Sequence, residues 1–320
     1  MSQGLPEWFA LQDSSHYRRW RSWKLRHYPQ SVQELTVDVA DLAAPTSAER
    51  QRILSLLARA NMARLRCPEP AQVTRQALLG LGTRLGMRRL DANLCADEDA
   101  ISALQVRERG PASDYIPYTN RPLSWHTDGY YNAPHEQIRA WMLFCVRPAW
   151  NGGENTLLDH EIAYIHLRDQ SPAFVESLMD PQAMTIPANT RGGIQLRPAR
   201  TGPVFSVIDG QLHMRFSARS RNIEWKPSTA LQEALACLHD LCSGESAYIY
   251  RVRLGPGEGI LSNNVLHNRT GFRDHEDNRR KRLLYRARFY DRPRASQSWA
   301  WGGTDKECRG NATCPPTRPV

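Results

Sequence analysis

The 320-residue sequence predicts a mainly β protein with flanking helices, built as a double-stranded β-helix, or jelly roll. Three observations predict it. Strand-like segments follow one another from about Ala100 to Tyr290, whereas helical periodicity is concentrated before them. Turn clusters separate the strands, the clearest being Gly255-Pro256-Gly257-Glu258-Gly259. No glycine-rich phosphate loop follows a strand, so a doubly wound nucleotide-binding sheet has no support.

Residues 1–40 read as an N-terminal arm. Its basic stretch Tyr17-Arg18-Arg19-Trp20-Arg21 suits a docking arm or a solvated helix face. Thr46 and Glu49 form a capping-box pattern, and Ile53, Leu56, Leu57 and Ala60 recur at helical spacing, so a helix is expected to run to about Leu65. A second helix carries Val73, Ala77, Leu78, Leu81 and Leu85. Expected strands are Ile101–Val106, Ala140–Val146, Thr156–Asp159, Val204–Ile208, Ala247–Leu254 and Arg282–Tyr290. Ser228 opens one later helix, which Gly244 stops. The chain thus divides into residues 1–95, an arm with helices packing on the barrel, residues 96–291, the jelly-roll core with helical insertions, and residues 292–320, an irregular tail.

Composition narrows the classes of function. Lys and Arg exceed Asp and Glu by nine charges, which suits an anionic substrate and cosubstrate as well as it suits nucleic acid. Apart from Tyr17-Arg18-Arg19-Trp20-Arg21, no basic cluster is interleaved with aromatics as in a recognition helix, which argues against nucleic acid. Met1 to Trp20 lacks the apolar run of a signal peptide, and Ala140–Val146 is too short to span a bilayer. A soluble, cytoplasmic protein is expected. The seven cysteines, Cys67, Cys95, Cys145, Cys237, Cys242, Cys308 and Cys314, fit no zinc spacing and read as reduced thiols. Trp299 and Trp301 are candidates for covering a sheet or a homo-oligomer contact.

The chemistry lies in three segments. In Trp125-His126-Thr127-Asp128-Gly129, residues i and i+2 of an extended chain share a side, so His126 and Asp128 present an imidazole and a carboxylate to one ion. In Asn263-Asn264-Val265-Leu266-His267-Asn268-Arg269-Thr270-Gly271-Phe272, His267 follows a strand leaving the glycine turn. Two histidines and one carboxylate make the facial triad of non-haem iron(II), which keeps three octahedral positions open for a chelating 2-oxo acid and O₂. In Arg282-Leu283-Leu284-Tyr285-Arg286-Ala287-Arg288-Phe289-Tyr290, alternation puts Arg282, Leu284, Arg286 and Arg288 on one face and apolar side chains on the other. The apolar face must be buried. The arginine face is either solvated or the lumen of the barrel, where a guanidinium needs a carboxylate partner.

Together these segments resemble the taurine dioxygenase-like (TauD/TfdA) family of iron(II)/2-oxoglutarate-dependent oxygenases. The resemblance runs from about Ile101 to Tyr290, with the arm outside it. The His-Thr-Asp triplet is the family's spelling. Gly152-Gly153-Glu154-Asn155-Thr156 with Asp159 is similar to its Gly-Gly-acid turn and strand, and Leu266 to Phe272 to its Leu-His-Gly-Arg-Thr-Ala-Phe block. Arg282 to Ala287 matches its terminal arginine strand. The resemblance implies iron(II), 2-oxoglutarate and O₂, with His126, Asp128 and His267 as metal ligands. It implies hydroxylation of a C–H bond with release of succinate and CO₂. Halogenating relatives lack the carboxylate that Asp128 supplies. Arg282 is implied for the far carboxylate of 2-oxoglutarate, together with Asn155 or Thr156. The family usually has Thr or Ser where Asn155 stands, and Gly where Asn268 stands.

The substrate expected is a small zwitterionic or anionic metabolite. The run from Tyr118 to Asp128 is similar to that of γ-butyrobetaine and trimethyllysine hydroxylases, which cage a quaternary ammonium. Trp125, Tyr130 and Tyr131 are the candidates for such a cation–π site, and Arg286 for a substrate carboxylate or the near carboxylate of 2-oxoglutarate. The alternative is that these aromatics pack the core. Met214, Arg215, Phe216 and Arg219 are further candidates for the pocket wall. Two other functions compete. A nucleic-acid demethylase of the same superfamily would use Arg282 and Arg288, but its histidines are closer in sequence than the 141 residues separating His126 from His267. A catalytically dead binding protein would not need the intact triad.

Overall fold

The computed structural model describes residues 6–12, 14–92, 99–110, 113, 115–219 and 223–294. The fold is mainly β with several helices. Strands and helices are numbered in chain order. The larger sheet has the order β1 (Thr36–Asp38), β2 (Met62–Arg66), β16 (Glu258–Ser262), β5 (Ala140–Arg147), β19 (Leu283–Phe289), β3 (Ser102–Leu104). Its neighbours are antiparallel except for β1 and β2. Close packing fixes Gly259 in β16: a Cβ there would lie 2.3 Å from the Phe144 ring on β5. The smaller sheet has the order β15 (Ile249–Val252), β7 (Asn155–Leu158), β17 (Leu266–Arg269), β4 (Leu123–His126), all antiparallel.

Short ribbons complete the β structure. They pair β6 (Asn151–Gly152) with β18 (Phe272–Arg273), β9 (Asn189–Arg191) with β10 (Ile194–Arg197), and β12 (Phe205–Ile208) with β13 (Gln211–Met214). A three-stranded sheet places β8 (Met184–Ile186) between β11 (Arg200–Gly202) and β14 (Glu224–Trp225).

The helices are α1 (Ser14–Arg26), α2 (Ser47–Ala60), α3 (Arg75–Arg84), α4 (His160–Gln170), α5 (Pro172–Met179) and α6 (Thr229–Ser243). The expected capping box forms, since the Thr46 hydroxyl accepts from the Glu49 N–H and the Glu49 carboxylate accepts from the Thr46 N–H. The helix does not reach Leu65. Asn61 turns left-handed at φ 55°, a conformation its short polar side chain tolerates, and the next five residues become β2. Strands of the larger sheet therefore come from the first hundred residues as well as from the later ones. Ser228 caps α6 through the Leu231 N–H, and Gly244 follows its end, as expected.

The arm is not a solvated helix. Tyr17, Trp20, Lys24 and Leu25 of α1 are buried. Lys24 is wholly enclosed, its ammonium 2.6 Å from Asp159 and ion-paired with Glu161 as well. Burial pulls the ammonium toward neutrality, but Asp159 and Glu161 outweigh it and raise its pKa. Asp159 caps α4 through the Glu161 N–H and accepts from Asn61 Nδ2 at 2.9 Å, while Asn61 Oδ1 accepts from Asn263 Nδ2 at 2.9 Å. A polar chain thus runs from the arm to the loop before β17.

Cys67, Cys145, Cys237 and Cys242 are free thiols. Cys95, Cys308, Cys314, Trp299 and Trp301 lie outside the described residues. Among the described residues no helix is long and apolar enough to cross a membrane.

Candidate metal centre and active site

The register of the smaller sheet assembles the triad. His126 at the end of β4 is paired directly with His267 on β17, which brings the ring centroids to 4.2 Å although 141 residues separate them. Each imidazole is turned by its own strand: Nδ1 of His126 donates to the Ser124 carbonyl at 2.9 Å and Nδ1 of His267 to the Val265 carbonyl at 3.0 Å. Those bonds fix the tautomer and leave both Nε2 lone pairs free. The Nε2 atoms stand 3.5 and 3.8 Å from Asp128 Oδ1. The three side chains offer ligand atoms within 4.8 Å of one another, so they can hold one metal ion.

Asp128 is set by Asn264, a residue the sequence did not single out. Asn264 Oδ1 accepts from the Asp128 N–H at 2.8 Å, and its Nδ2 donates to the carbonyls of Asp128 at 2.9 Å and Ile138 at 2.7 Å. Burial works to protonate the Asp128 carboxyl, but Arg286, then His126, Arg288 and His267 together hold it well below the usual carboxylate range. Arg286 Nη1 lies 3.5 Å from Asp128 Oδ2, an oxygen that is buried without a hydrogen bond. Burial, with the neighbouring His126, pushes the His267 imidazole down to about 3. A neutral imidazole at His267 beside the ionised Asp128 is the state in which these two groups can ligate a metal.

A cavity next to the triad is lined by Leu104, Pro117, Trp141 and Leu143 on its apolar side, and by Asn155, Arg269, Arg282 and Arg286 on its polar side. The arginine face of β19 is therefore the inner one. The opposite face is covered less fully than expected: Leu283 and Tyr285 are half-buried, and the register shifts between Leu283 and Leu284. Arg282 is 3% exposed, and its Nη1 has no hydrogen-bond partner among the described residues. Burial brings its guanidinium down to about 10, and burial followed by Arg282 brings Arg269 down to about 9. Arg269 is held by the carbonyls of Thr119 and Arg121. Two enclosed guanidinium groups, neither in an ion pair with a carboxylate among the described residues, make a site that fits a free carboxylate.

Asn155 and Thr156 point to opposite faces of β7, and Asn155 is the one that lines the cavity. Trp125, Tyr130 and Tyr131, the candidates for a cation–π cage, are not among the side chains lining this cavity and pack against the hydrophobic core. Trp125 precedes His126 on an extended strand and so points away from it. Tyr130 and Tyr131 contact each other edge-on at 5.2 Å, and the Tyr131 hydroxyl accepts from Arg288 at 3.2 Å. Arg288 is also ion-paired with Asp91.

Residues 24–288 match the family described as taurine catabolism dioxygenase TauD, TfdA family. The chain belongs to the TauD/TfdA family. The TauD/TfdA match begins inside α1, so it takes in the α2 and β2 region that the sequence motifs had left outside it. Among relatives, a uridine-5′-phosphate dioxygenase of Amycolatopsis sp is 34% identical over 179 residues, covering 54% of this chain and 62% of that enzyme. The chain thus spans less than two thirds of that relative's length. A second uridine-5′-phosphate dioxygenase, from Streptomyces sp, is 29% identical over 212 residues, covering 63% of this chain and 73% of the enzyme. The fold is shared with an asparagine oxygenase solved with Fe(II), 3-hydroxyasparagine and succinate, at TM-score 0.57 and 18% identity over 84% of this chain and 88% of the other. It is also shared with the non-heme iron oxygenase OrfP in complex with Fe and alpha-ketoglutaric acid, at TM-score 0.57 and 16% identity over 81% and 83%.

Sequence reasoning missed several residues of this TauD/TfdA site. Trp141 packs on His267 with ring centroids 4.7 Å apart, and with Leu143 it turns one face of β5 toward the cavity. Both sit in the apolar run Ala140–Val146, whose alternation was masked because the other face is apolar too.

Proposed function

We propose that the chain is an iron(II)/2-oxoglutarate-dependent dioxygenase that hydroxylates a C–H bond of a small anionic metabolite, with a nucleoside 5′-phosphate as the first candidate. One observation carries this: a buried His-Asp-His cluster faces a cavity in which the Arg282 guanidinium is enclosed without an ion-paired carboxylate among the described residues. In this reading the two sheets form a double-stranded β-helix, a reading supported by the likeness to the asparagine oxygenase and OrfP.

His126, Asp128 and His267 would hold iron(II), which when bound supplies oxygen activation coupled to decarboxylation of 2-oxoglutarate. Arg282 receives the far carboxylate of the cosubstrate, with Asn155 beside it. Arg286 steadies Asp128 and keeps a buried Nε free for a further oxygen. Trp141, Leu143 and Leu104 exclude water from the reacting side of the cavity. The nucleotide class is drawn from the two uridine-5′-phosphate dioxygenases, and it is preferred to a betaine because Trp125, Tyr130 and Tyr131 are not among the side chains lining this cavity. The demethylase alternative loses its second arginine, since Asp91 and Tyr131 already occupy Arg288.

The test is substrate-stimulated succinate release by the iron-loaded chain. Uridine-5′-phosphate should stimulate it, against a panel of asparagine, arginine, betaines and methylated oligonucleotides. Stimulation by the oligonucleotides alone would replace this reading with the demethylase one. No succinate release under any condition would favour a binding protein.

A further inference from the structure

A group of arginines beside the metal centre has no role in the scheme above. Arg215 follows β13, and the next residue, Phe216, exchanges hydrogen bonds with Thr127 between the ligands His126 and Asp128. The Arg215 side chain is buried and pinned by carbonyls. Its Nε donates to Tyr130 O at 2.8 Å, and its Nη2 donates to Arg200 O at 2.8 Å and Met184 O at 3.2 Å. It thereby ties the turn connecting β10 to β11, and with it Arg197 and Arg200, to the segment just after Asp128. Burial, then Arg200, lowers the Arg197 pKa, while Tyr130 and Tyr131 oppose the shift. Arg197 and Arg200 are half-buried, and no carboxylate among the described residues pairs with them or with Arg215. Arg197 donates to the carbonyls of Pro187 and Pro198, and the buried Nε of Arg200 has no hydrogen-bond partner.

We propose that Arg197 and Arg200, braced by Arg215, form the seat for the phosphate of a phosphorylated substrate, at the mouth of the site beside Tyr130 and Tyr131. This rests on the nucleotide reading above. Two guanidinium groups that flank one short turn without an ion-paired carboxylate suit a phosphate dianion: Arg200 keeps its buried Nε, and Arg197 keeps the N–H groups not given to the Pro187 and Pro198 carbonyls. Two arginines of the cavity are poorer candidates, since Arg282 is reserved for the cosubstrate and Arg286 is turned to Asp128. A phosphate held on the Tyr130 side would anchor the substrate's far end and leave its C–H end toward the triad.

The test is calorimetric binding by the full chain, loaded with metal and 2-oxoglutarate and kept free of oxygen. The probes are uridine-5′-phosphate, ribose 5-phosphate and uridine. The wild type should bind the two phosphorylated probes and discriminate against uridine by tenfold or more. Arg197→Ala and Arg200→Ala should each weaken uridine-5′-phosphate at least tenfold, and the double variant should remove the preference over uridine. Arg197→Lys should restore part of the loss, and 2-oxoglutarate affinity should stay at the wild-type value in every variant, which separates a lost phosphate seat from a damaged fold. Wild-type affinity for uridine-5′-phosphate in the double variant would overturn the arginine seat and leave the nucleotide reading standing. Failure of the wild type to bind either phosphorylated probe would overturn both.

Discussion

Arg282 offers a test in which binding and stability are expected to part. Consider Arg282→Met, which keeps much of the buried volume and removes the charge. In the free protein the guanidinium is 3% exposed, its Nη1 unpartnered, so the fold bears its desolvation without a compensating ion pair. Removing it should leave unfolding free energy within about 1 kcal/mol of wild type, or raise it. Cosubstrate binding should respond in the other direction. Two charge-assisted hydrogen bonds to a carboxylate contribute roughly 1.5–3 kcal/mol each, so about 3–6 kcal/mol is lost in all. At about 1.4 kcal/mol per decade, the Kd for 2-oxoglutarate should rise by roughly two to four orders of magnitude. Urea denaturation with and without 2-oxoglutarate reads both quantities. At a hundred times its Kd, 2-oxoglutarate should stabilise the wild type by about 2.7 kcal/mol and the variant by almost nothing at the same concentration. A variant that unfolds much more easily without 2-oxoglutarate, yet binds it as tightly as wild type, would refute the reasoning.

Replacing His126, Asp128 or His267 with Ala should abolish iron-dependent succinate formation while circular dichroism stays native, and full turnover of the His267→Ala protein would contradict the triad. Asn264→Ala removes the hydrogen bonds that hold Asp128 from a residue at φ 60°, so metal affinity should fall about 10- to 100-fold, measured by titration with a chelator. Lys24→Met leaves Asp159 buried without its closest cation and should cost about 3–5 kcal/mol at pH 7. The sign with pH follows from Asp159, whose folded pKa is depressed because Lys24, His160 and hydrogen bonds outweigh burial. Its stabilising contribution is full above the unfolded value of about 3.9 and is lost as pH falls through the lower folded one, so the gap between wild type and variant should narrow on acidification. A gap that widens on going from pH 7 to pH 4 would rule this out.

What was legible in the sequence was whatever depends on strand periodicity. His126 with Asp128, the gathering of arginines on one face of β19, and the helix caps at Thr46 and Ser228 rest on spacings of two to four residues, and each forms, whereas that the arginine face is the inner one needed the structure. What was not legible depends on tertiary choice. Met62 to Arg66 continues the apolar pattern of α2, and only the left-handed turn at Asn61 makes it a strand. The Tyr17–Arg21 stretch read as a docking arm or a solvated face because its charges are conspicuous; Arg18 and Arg19 are exposed, while Tyr17 and Trp20 dock inward. Tyr130 and Tyr131 flank the ligands in sequence, but the chain turns there and aims them at each other and at Arg288. Asn264 stands in the quoted motif, but its role needs Asp128, 136 residues earlier, to be brought beside it.

The polar chain from Lys24 through Asp159 and Asn61 to Asn263 has a consequence for how the molecule assembles. Asp159 lies between β7 and α4, and dehydrating it is tolerable only once α1, from the far end of the chain, has docked. Seating the arm and sealing the interior are therefore one cooperative event, and the loop that presents His267 is joined to it through Asn263. The arm and the metal loop should melt together, so their backbone amides should share a single opening free energy in hydrogen exchange.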